Sequence, residues 1–257
     1  MNDSTDNVLI DIKSLDKQFG PIHAVRDISF SVRKGEVLGF LGPNGACKST
    51  TMKMVTGFLE PTKGTVSVCG FDILEDPIRA KQKIGYLPEG APCYGEMTVT
   101  SFLNFIADIR QLTGQKKQDR IEEVIQKINL QNVRQQTIET LSKGFKRRVG
   151  VAQSILHDPE VLIMDEPTDG LDPNQKHEVR TLISEMAANK AIVISTHILE
   201  EVDAVCTRAI IIASGQLLFD GTPGELLSQS DSGKMDDVFR DITTKFYAEI
   251  GEAGHHE

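Results

Sequence analysis

The sequence predicts an α/β protein built on a mainly parallel sheet and interrupted by a helical segment. Three observations lead there. Short β-branched runs of strand length recur at positions 8–12, 28–32, 37–41, 65–69, 84–87, 161–164, 191–195 and 209–213. The later runs are separated by stretches long enough for the helical crossovers that parallel strands require. Positions 99–156, in contrast, carry long polar faces at helical spacing with almost no strand-like alternation.

The elements follow in order. The run at 37–41 passes directly into a Gly-rich loop at 42–50 and a helix-like stretch at 51–58, a strand, loop, helix unit. With 257 residues, 39% hydrophobic and 25% charged, the chain can bury a core, which excludes disordered, collagenous and coiled-coil classes. The expected division is a core of 1–87 and 151–228, a helical subdomain of 88–150, and a tail of 229–257. In the tail, after a serine-rich break, Met235, Val238, Phe239, Ile242 and Phe246 fall on one helical face. That face either docks on its own domain or serves a second subunit.

No apolar run approaches the roughly 18 residues of a membrane span. Positions 1–7 are acidic and polar, unlike a signal peptide, so a cytosolic location is expected. The four cysteines, Cys47, Cys69, Cys93 and Cys206, form no C-x-x-C pair, which argues against a zinc site or disulfide framework. A net charge of -9 argues against nonspecific nucleic-acid binding. The local exception, Lys143-Gly144-Phe145-Lys146-Arg147-Arg148, reads as a solvated helix face rather than a lipid or nucleic-acid contact.

Chemistry concentrates first in Gly42-Pro43-Asn44-Gly45-Ala46-Cys47-Lys48-Ser49-Thr50. A glycine-rich loop between strand and helix directs backbone N–H groups at an anion. Lys48 can then reach β- and γ-phosphate oxygens, and the Ser49 hydroxyl can ligate Mg²⁺. Cys47 stands where the phosphate-loop pattern has its second glycine. At positive φ its Cβ costs about 1–2 kcal/mol, and it crowds a backbone that must approach phosphates. Beside Lys48 and a helix N-terminus, its thiol is expected to have a lowered pKa and raised reactivity.

A buried-strand run, Val161-Leu162-Ile163-Met164, ends in Asp165 and Glu166. One strand tip thus offers a carboxylate for Mg²⁺ and a candidate base for water. Leu141-Ser142-Lys143-Gly144-Phe145 opens a long helical segment, where Ser142 is either a plain N-cap or part of a second anion site.

Taken in order, the phosphate loop, the L-S-x-G segment, Asp165-Glu166-Pro167, Gly170-Leu171-Asp172 and Ser195-Thr196-His197 resemble the ATP-binding cassette of ABC transporters over residues 8–228. The resemblance implies a P-loop NTPase core with a mainly parallel sheet, an N-terminal antiparallel β region and a helical subdomain insertion. It implies ATP and Mg²⁺ held by Gly42, Asn44, Gly45, Cys47, Lys48, Ser49 and Thr50, with Asp165 and Ser49 on the metal. Glu166 and Lys48 are then catalytic, together with His197, which matches a switch histidine that bonds the γ-phosphate. Ser142 and Gly144 match the signature positions that contact the γ-phosphate held by an opposite subunit, although Lys143 and Phe145 depart from that signature. Asp172 matches an interface loop. Phe19 either stacks on adenine or is an ordinary packed phenylalanine. Glu89 occupies the place of a glutamine that touches metal and water.

Leu87-Pro88-Glu89 and Leu171-Asp172-Pro173-Asn174-Gln175 resemble the ABC-2 export branch, including gliding-motility cassettes. The resemblance further implies a second nucleotide-binding subunit, as a homodimer, and a separate transmembrane permease at the cytoplasmic face of the membrane, with no nucleic-acid partner. The permease would dock near 89–100, with Tyr94, Met97 and Val99 lining the groove or packing in the core. Two other classes stay open: a regulatory cassette impaired by Cys47, and a cassette outside transport.

Overall fold

In the computed structural model, residues 7–90, 93–229 and 233–253 are described. Outside them lie the acidic start at 1–6, residues 91–92 of the expected groove, 230–232 of the serine-rich break, and 254–257. Strands β1 (Val8–Phe19) and β2 (Ile22–Arg33) pair antiparallel, and β1 also pairs antiparallel with β4 (Lys63–Val68), which is edged by β5 (Phe71–Asp72). Both β1 and β2 outrun the expected strands at 8–12 and 28–32. Register shifts let the ladder continue through polar stretches such as Ser14 to Lys17, where Leu15 still points inward.

The second sheet has six strands in the order β10-β9-β3-β8-β7-β6. It comprises β3 (Val37–Leu41), β6 (Ile84–Leu87), β7 (Val161–Asp165), β8 (Ala191–Thr196), β9 (Arg208–Ala213) and β10 (Gln216–Gly221). Neighbours are parallel except β10, which turns back antiparallel on β9. Strand β10 has no counterpart among the expected strands, because its apolar run, Leu217 to Phe219, is only three residues long and mostly half-buried at a sheet edge.

Side chains leave this sheet alternately. Leu38, Phe40, Ile163 and Val193 pack under the antiparallel sheet with Ile10, Ile12 and Val66. Leu41, Leu162, Met164 and Ile194 face the opposite core, beneath the helices. A sheet covered on both faces explains why its central strands read as unbroken apolar runs.

Crossovers and insertion are helical: α1 (Lys48–Val55), α2 (Pro77–Gln82), α3 (Val99–Ile109), α4 (Gly114–Lys127), α5 (Lys143–Ile155), α6 (Pro173–Ala187), α7 (Leu199–Val205), α8 (Pro223–Leu227) and α9 (Met235–Ala253). The composition-based division at 150 falls inside α5, whose buried face runs on through Val151, Ala152 and Ile155. Helix α9 buries Met235 and Val238 in the main core, with Phe239 and Ile242 packed against it, so this part of the apolar face docks on its own chain.

The Lys143 to Arg148 segment differs from the expected solvated face. Arg147 and Arg148 are 5% and 8% exposed, because they share the inward helical face with Gly144 and Val151. Val99 likewise lies in the core, whereas Tyr94 and Met97 border an open groove.

Helix α5 approaches β6 where Gly85 leaves room. A Cβ there would lie 2.0 Å from the Ser154 carbonyl oxygen and 2.7 Å from Leu162 Cδ2. Gly85→Ala is therefore expected to lower stability by about 1–3 kcal/mol through overpacking. The urea midpoint measures this, and an unchanged midpoint would mean that α5 moves aside at no cost.

Candidate functional site

Parallel strands β3, β8, β7 and β6 deliver their carboxyl ends to one edge, the place where open α/β sheets bind ligands. After β3, the 42–47 loop leads into α1. Gly45 takes φ +82, and Cys47 takes φ 69 and ψ 25 as the N-cap residue, with no side-chain cap bond. The left-handed backbone on which the strain at Cys47 depends is thus present in a residue with a Cβ. Beyond it, the first N–H groups of α1 have no intrahelical acceptor and face outward at the positive end of the helix dipole.

Lys48 is buried and donates to the carbonyl oxygens of Gly42 at 2.7 Å and Pro43 at 3.2 Å. Burial lowers its pKa, and the carboxylates of Glu166, Asp165 and Glu89 oppose that shift. Cys47 departs from expectation. Burial raises its thiol pKa above the ordinary value, because its environment withholds solvation from the thiolate.

Asp165 ends β7 in register with Ser195 of β8, whose hydroxyl donates to Asp165 Oδ1. Glu166 follows at φ 54, its N–H bonded to the Ser195 carbonyl at 2.9 Å. One Glu166 oxygen, Oε1, lies 2.8 Å from His197 Nδ1, while the buried Oε2 has no hydrogen-bond partner among the described residues.

Asn44, Gly45, Cys47, Lys48, Ser49, Thr50, Glu89, Asp165 and Glu166 line one cavity of about 300 Å³. That is the lower end of the roughly 300–1,000 Å³ range of ligand pockets, and its lining is suited to a polyphosphate rather than an apolar molecule. Ser49, Asp165 and Glu89 offer hard oxygen donors of the kind that bind Mg²⁺. Among the described residues no three His, Cys, Asp or Glu side chains converge on a metal position. Substrate phosphates would supply the remaining ligands, which is how Mg²⁺ commonly binds.

Other expected site residues lie apart from this cavity. Phe19 is at the exposed end of β1, with Lys17 Nζ 5.0 Å from its ring centroid. Ser142 caps α5, its hydroxyl accepting from Phe145 N–H at 3.4 Å. Gly144 packs against Gln175, and Asp172 caps α6 by accepting from Gln175 N–H at 2.9 Å. The signature departures have structural partners: Lys143 pairs with Asp169 at 2.9 Å, and Phe145 lies under the Arg148 guanidinium.

Arg147 escaped the sequence reading. Its guanidinium donates to the carbonyl oxygens of Asp165, Glu166, Pro167 and Pro88, so one buried cation anchors the loops after β7 and β6. The signal was present as the spacing of Gly144, Arg147, Arg148 and Val151, and the count of charges in that segment masked it.

The strain at Cys47 gives a direct expectation. Cys47→Gly is expected to stabilise the chain by about 1 kcal/mol or less, since relief of the left-handed backbone is offset by glycine's larger entropy loss. Chemical denaturation tests it, and a loss of stability would show that thiol packing outweighs the strain. A raised thiol pKa further predicts that iodoacetamide at pH 8 labels Cys47 more slowly than an unstructured cysteine peptide. Faster labelling would contradict it.

Comparison with known proteins agrees with this geometry. A family model described as ABC transporter matches residues 25–169. The probable multidrug ABC transporter ATP-binding protein YbhF of Escherichia coli (strain K12) is 35% identical over 230 residues, 89% of this chain and 40% of that protein. This chain therefore spans well under half of that relative's length. The Nod factor export ATP-binding protein I of Burkholderia orbicola (strain AU 1054) is 35% identical over 219 residues, 85% of this chain and 72% of that protein. A solved structure of an ATP binding subunit of an ABC transporter superposes with a TM-score of 0.84 at 28% identity, covering 91% of this chain and 99% of the other.

Proposed function

The chain belongs to the ABC transporter family of ATP-binding proteins, and on that premise we propose that it is an ATP-hydrolysing subunit that powers export through a separate membrane permease. One observation carries the hydrolytic reading. Glu166 has one oxygen held by His197 and the other buried without a partner, at the wall of the phosphate-loop cavity.

The proposed chemistry follows from that arrangement. The N-terminus of α1 and the Lys48 ammonium receive the triphosphate, Lys48 exchanging its loop carbonyls for phosphate oxygens. Mg²⁺, held by Ser49 and Asp165 with Glu89 near, would neutralise charge on the phosphate oxygens when bound. Glu166 Oε2 orients the attacking water and accepts its proton, and His197 keeps the carboxylate turned toward the cavity. Ser195 and Arg147 hold the two carboxylates in place from behind.

The signature residues Ser142 and Gly144, and Asp172, lie outside their own cavity, which supports completion of each site by a second copy arranged head to tail. Phe19, exposed on the neighbouring sheet, is the adenine-stacking candidate in this arrangement. Among the described residues no helix is long and apolar enough to cross a membrane. In this reading the permease is a separate chain, with this subunit at the cytoplasmic face. The groove between Cys93 and Met97 on one side and Phe105 on the other, with Tyr94 59% exposed, is the proposed seat for its cytosolic segment. Export is supported by the likeness to the Nod factor export ATP-binding protein I and by the Leu171 to Gln175 pattern that resembles the ABC-2 branch.

A second reading has its own observation. Cys47 brings a Cβ and a left-handed backbone into the phosphate cradle, which favours a nucleotide-responsive cassette with weakened turnover. A rise in kcat on Cys47→Gly would support it, and unchanged turnover would dismiss it.

The deciding experiment is Glu166→Gln. Loss of the base is expected to lower kcat for ATP by about 10²–10⁴-fold while ATP binding persists. The variant is expected to elute as a dimer with Mg-ATP and as a monomer without it. Near-normal turnover would remove Glu166 from the role of base, and a monomer at saturating nucleotide would remove the head-to-tail assembly.

A further inference from the structure

We propose that Glu201 is a positioning residue for hydrolysis, holding His197 through a closed ring of hydrogen bonds across the turn from β8 to α7. The inference rests on the reading of Glu166 and His197 as the pair that activates water. Thr196 and Ile198 flank His197 on either side. The Thr196 hydroxyl donates to Glu201 Oε2 at 2.8 Å and accepts from the Ile198 N–H at 3.0 Å. Glu201 closes the ring through its own N–H, which donates to the Ile198 carbonyl at 3.1 Å. The backbone on both sides of the histidine is thereby tied to a single carboxyl group.

That carboxyl is 2% exposed, and Thr196 is fully buried. Burying a carboxyl costs free energy, and the hydrogen bond from the Thr196 hydroxyl offsets part of that cost. Its second oxygen, Oε1, finds no partner among the described residues. Burial raises the Glu201 pKa, the Thr196 hydrogen bond and then Arg180 and Lys176 of α6 pull it down, and Glu166 pushes it up. The N-cap of α7, Ile198, has no side-chain cap bond, so the Thr196 hydroxyl does the work of fixing this turn. His197 itself is exposed, and its hold on Glu166 Oε1 depends on where this turn places its backbone.

The test compares Glu201→Leu, Thr196→Val and Glu201→Gln in the full chain, with two readouts. Steady-state kinetics give kcat and KM for ATP. Imidazole chemical shifts in histidine-labelled, nucleotide-free protein report the surroundings of His197, its resonance assigned by loss in His197→Gln. Misplacing a catalytic group by a fraction of an ångström is expected to lower kcat about 10–100-fold in Glu201→Leu and Thr196→Val. KM for ATP is expected to stay within about threefold, because the phosphate cradle is untouched. The His197 resonance shifts in both, and Glu201→Gln, whose amide oxygen still accepts from Thr196, restores kcat and shift.

The assignment is overturned if a folded Glu201→Leu or Thr196→Val keeps parental kcat, if the His197 resonance does not move, or if Glu201→Gln is as impaired as Glu201→Leu. Should the unsubstituted chain show no turnover, the hydrolytic reading fails by itself. The His197 resonance then decides the positioning role alone, since it needs no ATP.

Discussion

Everything at the carboxyl edge depends on the register of four neighbouring parallel strands. Leu41 pairs with Thr196, Asp165 with Ser195, and Leu87 with Met164, so β3, β8, β7 and β6 end level with one another. The phosphate loop, both carboxylates, His197 and Glu89 all follow directly from those ends. A slip of one residue in any strand would turn its side chains to the other face and take its loop out of reach of the rest. The apolar cores on both faces oppose such a slip, because each strand alternates between the core under the antiparallel sheet and the core under the helices.

Electrostatics in the cavity are arranged around the carboxylates of Asp165, Glu166 and Glu89 and one cation, Lys48, with a second cation behind. Lys48 is the cation inside the cavity, buried and held by carbonyls of its own loop. Arg147 lies behind, donating to the backbone of the acidic turn rather than to its carboxylates. The carboxylate oxygens are thus left to Ser195, His197 and whatever enters the cavity.

Much of this was legible in the sequence, for physical reasons. Unbroken apolar runs announced β3, β7, β8 and β9 because a sheet covered on both faces needs them. The phosphate loop, Asp165 and Glu166 were legible because backbone geometry and charge leave few alternatives at a strand tip, whereas Glu89 was reached only through the family resemblance. Burial was less legible. Arg147 and Arg148 look like a solvated charge run until the helix face they share is known, and Glu201 resembles any surface glutamate of a short amphipathic helix. The thiol of Cys47 was misjudged for the same reason: desolvation depends on three-dimensional surroundings, whereas proximity to Lys48 and a helix end can be read from order alone.

In the proposed head-to-tail pair, helix α5 joins two ends of the chemistry that would face different molecules. Ser142 caps it at the surface, and Arg147, five positions on and therefore about 7.5 Å along the axis, grips the loop that carries this chain's own acidic pair. A rigid rod that short cannot tilt at one end without registering at the other. Within that pair, contact made with a neighbour's nucleotide would therefore reach the local acidic turn as a mechanical signal.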